Sequence, residues 1–456
     1  MKKTVSGELT VFFSLVFLLL LSLVGAVIES VSIQVGKNEK RADAGRAAES
    51  VFAEYQRDLL EKYGILALEE SYESGQASEE NVLNRLSFYG AENMDSDVIA
   101  IRYLTDNSGQ EFFRQAVEYQ KLKTGVSVVE AALDKQTVWE EKECLAEEYE
   151  GEDEKVDMEL QQILQTEEQT LSDEDNPITM MQTWKSDVFL KMILPKEFAL
   201  SEQTLVSSEL LSERDLRKGY GTLYEKESEA GDIVFFNLYL LEKFGNAVDV
   251  KEGDYLQYEL EYLLEGKASD TQNLEAVTRK LCNIRFGINY GYILTNQTMQ
   301  AEAEALAGTV SALFASPAIL PVIKQGILLV WAYGEAMMDV RALLEGEKVP
   351  LIKSQETWKL SLDSLLDMKE RGLLPAAQKK EETGLTYKEY LQMMLLTKGR
   401  EVLTMRALNL VEVNISSMDE KSFFKADACI TGAKFQIDCL MRRNIHYQFQ
   451  VSYQYH

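Results

Sequence analysis

The chain has 456 residues, 46% of them hydrophobic, with 47 Lys and Arg set against 75 Asp and Glu for a formal net charge of −28. That apolar share allows a packed core and excludes wholesale disorder, while so acidic a chain repels phosphate backbones, which argues against nucleic acid as a partner. Only two histidines (His446 and His456) and four cysteines without a CxxC pair are present, so multi-histidine metal centres, zinc knuckles and thioredoxin-like motifs are excluded, and Ser–His or Cys–His catalysis is disfavoured.

Residues 1–8 carry Lys2 and Lys3 and precede an uncharged run, Leu9 to Ile28. Twenty helical residues rise about 30 Å, the thickness of a hydrocarbon core. No basic residue occurs after the run until Lys37, so the positive-inside rule puts the N-terminus in the cytoplasm and the body outside the cell membrane, a single-pass arrangement. Two other readings stand beside a retained transmembrane helix over 9–28. One is a cleaved signal peptide ending near Val24-Gly25-Ala26; the other is a leader cut after Gly7. The pattern of the next forty residues favours retention. Ala44, Ala48, Phe52, Tyr55, Leu59, Tyr63 and Leu66 recur at three- and four-residue spacing, and charged residues fill the other side. This predicts a stalk helix over 29–70, with Gly36 and Gly45 as weak points. Ala42, Ala44, Ala47 and Ala48 suit pairing with a second copy or packing on the chain's own head.

Residues 71–230 read as an acidic, mainly helical region with one strand, Val98–Leu104, closed by Asp106-Asn107-Ser108-Gly109. A helix is expected over Gln110–Leu122, then one or two helices over 126–170. Between Glu140 and Asp175 stand sixteen Asp or Glu and two Lys, a pattern of solvated helix faces. Ser172 to Pro177 is a loop without the glycine and closing glutamate of a calcium-binding hand. The irregular stretch 190–230 is the best boundary.

Residues 231–411 read as a helical core region: Asp232–Phe244, Tyr255–Leu264, Asn273–Asn289 and a last long helix, Tyr387–Val411. Ala305 to Ile323 is uncharged and long enough to cross a membrane. Pro317 and Pro321 interrupt it, so two buried helices joined at Ser316-Pro317 are expected. Glu335 and Asp339 lie four apart and share a helix face. With no His or Cys to join them, and Lys324, Arg341 and Lys353 near in sequence, they read as a structural ion-pair network. No catalytic, cofactor-binding or metal-binding residue is assigned.

Residues 412–456 change period. Alternation predicts three strands, with a two-residue turn at Thr431-Gly432 pairing Ile430 with Ala433, and a loop Leu440–Asn444 pairing Cys439 with Ile445. Cys429 and Cys439 then have opposite parity, which disfavours a disulfide between them. The fold class is therefore α+β, mostly α: a transmembrane helix continuing into a stalk, a helical body and a C-terminal antiparallel β-meander.

The segments GELTVFFSLVFLLLLSLVGAVIES and ADAGRAAESVFAEYQRDLLEKYGILAL, with Trp331–Ser354 and Thr386–Leu396 downstream, resemble an uncharacterised family of membrane-anchored proteins of Gram-positive bacteria, itself similar to the TadE/TadG-like pseudopilins of tight-adherence pilus systems. The resemblance implies a structural or assembly role in a pilus-like surface apparatus, with protein partners of that assembly and with the bilayer, through Leu9–Ile28. One departure stands out: pilin-type leaders place Glu five residues after the cleavage glycine, and here that residue is Phe12, with Glu8 directly after Gly7. The chain has no usable P-loop, GxSxG or GxGxxG, so the expectation is a non-enzyme without cofactor or small-molecule substrate. A secreted or anchored cell-surface binding module is the alternative. A hydrolase using Glu335 and Asp339 ranks third.

Overall fold

The apolar N-terminal run forms the first part of one helix, α1 (Ser6–Phe52). In this computed structural model the described residues are 6–91, 93–166, 176–186, 188–206, 210–224, 229, 231–312, 318–365, 374 and 383–455. The other helices, in chain order, are α2 (Glu79–Leu86), α3 (Asp106–Lys123), α4 (Val126–Glu148), α5 (Glu152–Thr166), α6 (Pro177–Lys185), α7 (Phe189–Ile193), α8 (Asp232–Lys243), α9 (Glu259–Glu265), α10 (Asp270–Thr295), α11 (Gln297–Ser311), α12 (Ile319–Leu344), α13 (Tyr387–Leu396) and α14 (Arg400–Ser416). The strands are β1 (Leu68–Glu69), β2 (Asp95–Tyr103), β3 (Cys429–Met441) and β4 (Ile445–Gln454). The protein is α+β and mostly helical, with a long apolar N-terminal helix and a C-terminal antiparallel sheet. The chain divides into two units: residues 1–115, 215–227 and 415–456 form unit 1, and 116–214 with 228–414 form unit 2.

In unit 1, α1 changes environment along its length. Leu9 to Ile28 is exposed throughout, whereas Ala44, Ala47, Ala48, Val51 and Phe52 are buried against the sheet with Phe435, Ile437 and Phe449. Ala44, Ala47 and Ala48 thus pack on the chain's own head, whereas Ala42 is exposed. Beside them, Lys37 and Arg41 lie over the Tyr447 ring, and Phe52 stacks on Tyr453 while its carbonyl accepts from the Tyr455 hydroxyl. β4 therefore runs along α1. The helix stops at Phe52, short of the stalk expected to reach residue 70. The chain reverses: Gln56 N–H donates to the Ala67 carbonyl, and a separate turn, Leu59–Tyr63, is closed by Gly64 at φ 70°. Leu59 and Tyr63 keep helical spacing and are buried, so the periodicity is real but belongs to two elements.

β3 is the central strand. β2 pairs with it along one edge, and β4, extended by β1, along the other. Thr431-Gly432 is not a turn. β3 runs straight through it, and the ladder with β2 slips there, Arg102 facing Gly432 and Tyr103 facing Ile430. The extra residue, Thr431, is a bulge, and a bulge shifts the alternation by one just as a turn would. The three expected C-terminal strands are therefore two. Their connection is Arg442–Asn444, with Asn444 at φ 56°, so Met441 faces Ile445 and Cys439 faces Tyr447 rather than Ile445. The four cysteines are free. Cys429 and Cys439 cannot bridge because ten residues of one strand hold them about 33 Å apart.

Unit 2 is helical among its described residues, with α10 and α12 at its centre. From Gly326 to Val340 every residue of α12 is buried, Glu335 and Asp339 among them, so this helix runs through the middle of the unit. α11 and α12 are the two helices expected across 305–323; their junction at Ser316-Pro317, like Ser172–Asp175, lies outside the described residues. α10 meets α4 closely: a β-carbon on Gly287 would stand 2.4 Å from Ala146 Cα. The long helix expected over Tyr387–Val411 is broken into α13 and α14 at Thr397–Gly399. There Thr397 and Lys398 N–H groups turn back to the Met394 and Leu395 carbonyls, and glycine disfavours continuing the helix.

Candidate functional site

Burying a carboxylate is costly unless a cation and hydrogen bonds replace water. Glu335 and Asp339, both fully buried on α12, meet that condition. Lys353 Nζ donates to Glu335 Oε1 at 2.5 Å, to Asp339 Oδ1 at 2.7 Å and to the Thr357 carbonyl at 3.0 Å. Arg285 of α10 grips Asp339 Oδ2 through Nε (3.0 Å) and Nη2 (2.8 Å), and Asn289 Nδ2 donates to the same oxygen at 3.2 Å. Glu335 Oε2 takes the backbone N–H groups of Lys359 and Leu360. Arg285 Nη1 donates to the Pro350 and Leu351 carbonyls and to the Tyr390 hydroxyl. Two cations meet two carboxylates, so the cluster is neutral. Burial opposes ionisation of both acids. Lys353 and Arg285 overcome it at Asp339, whose pKa is lowered, whereas burial wins at Glu335, whose pKa is raised.

Of the three cations the sequence pointed to, the structure brings only Lys353 to the pair. Lys324 pairs with Glu304 at 2.9 Å, and Arg341 donates to the Met192, Ile193 and Leu374 carbonyls. Sequence reasoning missed Arg285 and Asn289. Their signal is two polar residues four apart in the otherwise apolar stretch Ile284–Ile288 and beyond, which is what a buried ionic partner looks like on a helix. All four charged side chains are wholly buried, and each Lys353 proton is taken by a protein oxygen. The cluster fastens the segment Pro350–Leu360 onto α10 and α12 and offers no open position for a substrate.

A cleft of about 690 Å³ lies elsewhere in unit 2, lined among others by Glu147, Glu154, Lys185, Arg279, Lys280 and Tyr333. Its cations already have partners. Lys185 meets Asp153 at 2.7 Å, Lys280 meets Glu143 at 3.3 Å, and Arg279 meets Glu275 at 2.7 Å while donating to two carbonyls. The nearby Cys282 thiol is pushed up to about 12 by burial, which keeps it protonated and a poor nucleophile.

A third group is rich in carboxyls. Glu261 accepts from Ala247 N–H and from the Tyr387 hydroxyl, and burial pushes it up to about 7. Glu259 accepts from Gly245 N–H and Asn414 Nδ2, and burial with neighbouring Asp254 holds it well above the usual range. These acids tie down the turn after α8. Among the described residues no group of three or more His, Cys, Asp or Glu is arranged to hold a metal ion.

The strongest functional feature is therefore a surface. Along α1 the side chains from Leu9 to Ile28 have no protein cover; Leu19 is 70% exposed and Phe17 66%. Among the described residues α1 is the one helix long and apolar enough to cross a membrane. An uncovered apolar surface of this extent needs a membrane or a protein around it.

A model of the family of unknown function DUF5702 matches residues 167–441. The chain belongs to that family. No curated protein and no solved structure matches it. The DUF5702 match runs across α6 to α14 and β3, and so includes Arg285, Glu335, Asp339 and Lys353. It stops short of α1, where the first segments of the tight-adherence resemblance lie.

Proposed function

We propose that this DUF5702 protein is a membrane-anchored structural or assembly component of a tight-adherence pilus-like surface apparatus, with its body outside the cytoplasm, and that it is not an enzyme. The supporting observation is α1: a bilayer's length of exposed apolar helix passes without a break into a segment buried in the sheet of unit 1. Such a helix couples unit 1 to the membrane, as a pilus-type component needs. Lys2 and Lys3 before the span and an acidic body after it favour an N-terminus in the cytoplasm. Its partners are the lipid bilayer and other envelope proteins. Phe12 and Glu8 argue against the usual pilin processing and charge pairing, so a retained anchor is the form proposed.

The test is fractionation of the full chain with Leu18→Arg and Leu19→Arg together. Two arginines at the centre of a span cost about 5–7 kcal/mol of insertion. The wild type stays in the alkaline-washed membrane pellet and the double variant leaves it. The mature N-terminus, read by mass spectrometry on the membrane fraction, is Met1. A start at Val27 would remove the anchor and leave a secreted binding module as the better reading.

A further inference from the structure

The sheet of unit 1 has one guarded edge and one bare edge. β3 lies inside, so β2 presents one edge and β4 the other. Tyr455 N–H donates to the Thr431 carbonyl, which continues the β3–β4 register of Ala433 with Tyr453 and Cys439 with Tyr447. In an antiparallel pair, bonded and open positions alternate. The odd-numbered residues of β4 therefore bond to β3, and the N–H and C=O groups of His446, Gln448, Gln450 and Ser452 point out of the sheet. Among the described residues no strand pairs with that side of β4.

β2 is guarded. Ile101 exchanges both backbone bonds with Tyr220, whose hydroxyl donates to the Val98 carbonyl. Gly221 presses so close that an added β-carbon would stand 2.4 Å from the Ile99 carbonyl oxygen. The ladder also shifts between Val98 and Ala100, and Asp95 and Asp97 charge the remaining end. Cover, bulge and charge are the usual means of closing an edge. β4 has none of them. It is ten residues long, keeps register with β3 without a shift, and from Ile445 to His456 holds no Asp, Glu, Lys, Arg or Pro in a chain that is 27% charged. So long and neutral an edge, left bare, is a template for aggregation, and it is built to be covered.

The surroundings of β4 define the cover. An added strand alternates its side chains between the two faces of the sheet. Toward α1 it meets Phe449, Val451 and Tyr453, the last two only half-buried, which suits apolar residues. On the other face it meets exposed Gln448, Gln450 and Ser452, which suits small polar ones. At the Ile445 end, Lys37 and Arg41 lie over the Tyr447 ring and Lys40 stands near Cys439. None of these three forms an ion pair with a described carboxylate. Glu39, between them in sequence, is turned to the opposite side of the helix at about 100° per residue. In a protein of net charge −28, such a group of cations favours a partner that carries carboxylates.

We propose that β4 is a docking edge for an extended segment of another protein, paired antiparallel, with alternating apolar and polar residues and carboxylates at the end that reaches Lys37 and Arg41. A second copy of this chain does not fit. Copies held in one bilayer by α1 point the same way, and so do their β4 strands, whereas identical edges paired about a two-fold axis run antiparallel. A shift within the membrane plane brings β4 to the guarded β2 instead. That exclusion rests on the anchor proposed above; the docking edge does not.

The probe is a labelled peptide of about ten residues, valine alternating with threonine and ending at its C-terminus in a pair of aspartates. It is added to the full chain in detergent and followed by fluorescence anisotropy. It binds saturably below about 1 mM. Methyl groups on the peptide amides that face β4 abolish binding, and methyl groups on the alternate amides leave it intact. Gln450→Pro removes an outward N–H without breaking a bond to β3, and weakens binding about tenfold or more. Lys37→Glu with Arg41→Glu weakens it about fivefold or more, and a peptide with lysines in place of the aspartates regains it. If the peptide does not bind, or both methylated forms bind alike, β4 is not a docking edge. If the charge reversal changes nothing, the acidic partner is wrong. If Gln450→Cys, in a chain whose exposed thiol is removed by Cys144→Ser, oxidises to a disulfide-linked dimer, a second copy occupies the edge and the proposal is overturned. Failure of the anchor shows in the fractionation of the Leu18→Arg and Leu19→Arg chain and leaves the peptide results as they are.

Discussion

Unit 2 buries two groups of charged side chains on opposite terms. Around Asp339, each carboxylate faces a cation: Lys353 and Arg285 balance Glu335 and Asp339 and hold the Asp339 pKa down, although burial still raises that of Glu335. Around Glu261, carboxyls meet backbone N–H groups, a tyrosine and an asparagine, and burial keeps their protons on. The first cluster depends on charge pairing and responds to the loss of a partner. The second depends on protonation and responds to pH.

Lys353→Met sharpens this comparison most. It leaves two buried carboxylates sharing one arginine, and removing one member of such a set costs about 3–5 kcal/mol. Urea unfolding of the full chain in detergent reads the loss; a cost under about 1 kcal/mol would mean the acids simply take up protons and the two clusters are alike. Next comes Glu261→Gln. The folded chain holds the Glu261 proton up to about pH 7, whereas an unfolded chain releases it near 4.5. Stability therefore falls as pH rises across that window and is level above it, by about 1.4 kcal/mol per pH unit for this one group. The glutamine keeps a neutral acceptor and removes that slope. Glu70 of unit 1, also pushed up to about 7 by burial, adds a slope of the same sign, so the quantity to read is the difference between wild type and variant. The smallest effect is at Lys155, which pairs with Glu152 at 2.6 Å but is 63% exposed. Lys155→Met changes the unfolding free energy in urea by no more than about 0.5 kcal/mol, and a larger change would break the rule that burial, and not pairing alone, makes Lys353 matter.

How much was legible in the chain depends on the range of each signal. The apolar run of α1, the strand at Val98–Leu104 and the pair Glu335–Asp339 are local patterns, and the structure contains them at or within a few residues of the expected places. Lys353 was within reach because it comes soon after Asp339 in the chain. Arg285 was not: it is brought in from 54 residues away by the packing of α10 on α12, and its own neighbourhood names no partner. The stalk was overextended because Leu59 and Tyr63 keep helical spacing through a reversal that periodicity does not register. Thr431-Gly432 misled for a related reason. A change of phase in an alternating pattern has two causes, and only the strand on the other side, β2, distinguishes a bulge from a turn.

The position of β3 also bears on how the protein is made. Every other strand of the sheet needs it, yet β1 and β2 are synthesised long before Cys429 leaves the ribosome. Throughout that interval α1 has no sheet to bury Ala44–Phe52, and β2 has no neighbour for its ladder. Unit 2, whose residues all lie between those of β2 and β3, has the opportunity to fold first. A nascent chain thus waits with an open edge strand and an uncovered helix face until the final strands arrive. A nonsense mutation anywhere before β3 therefore leaves a product whose first unit has no route to completion.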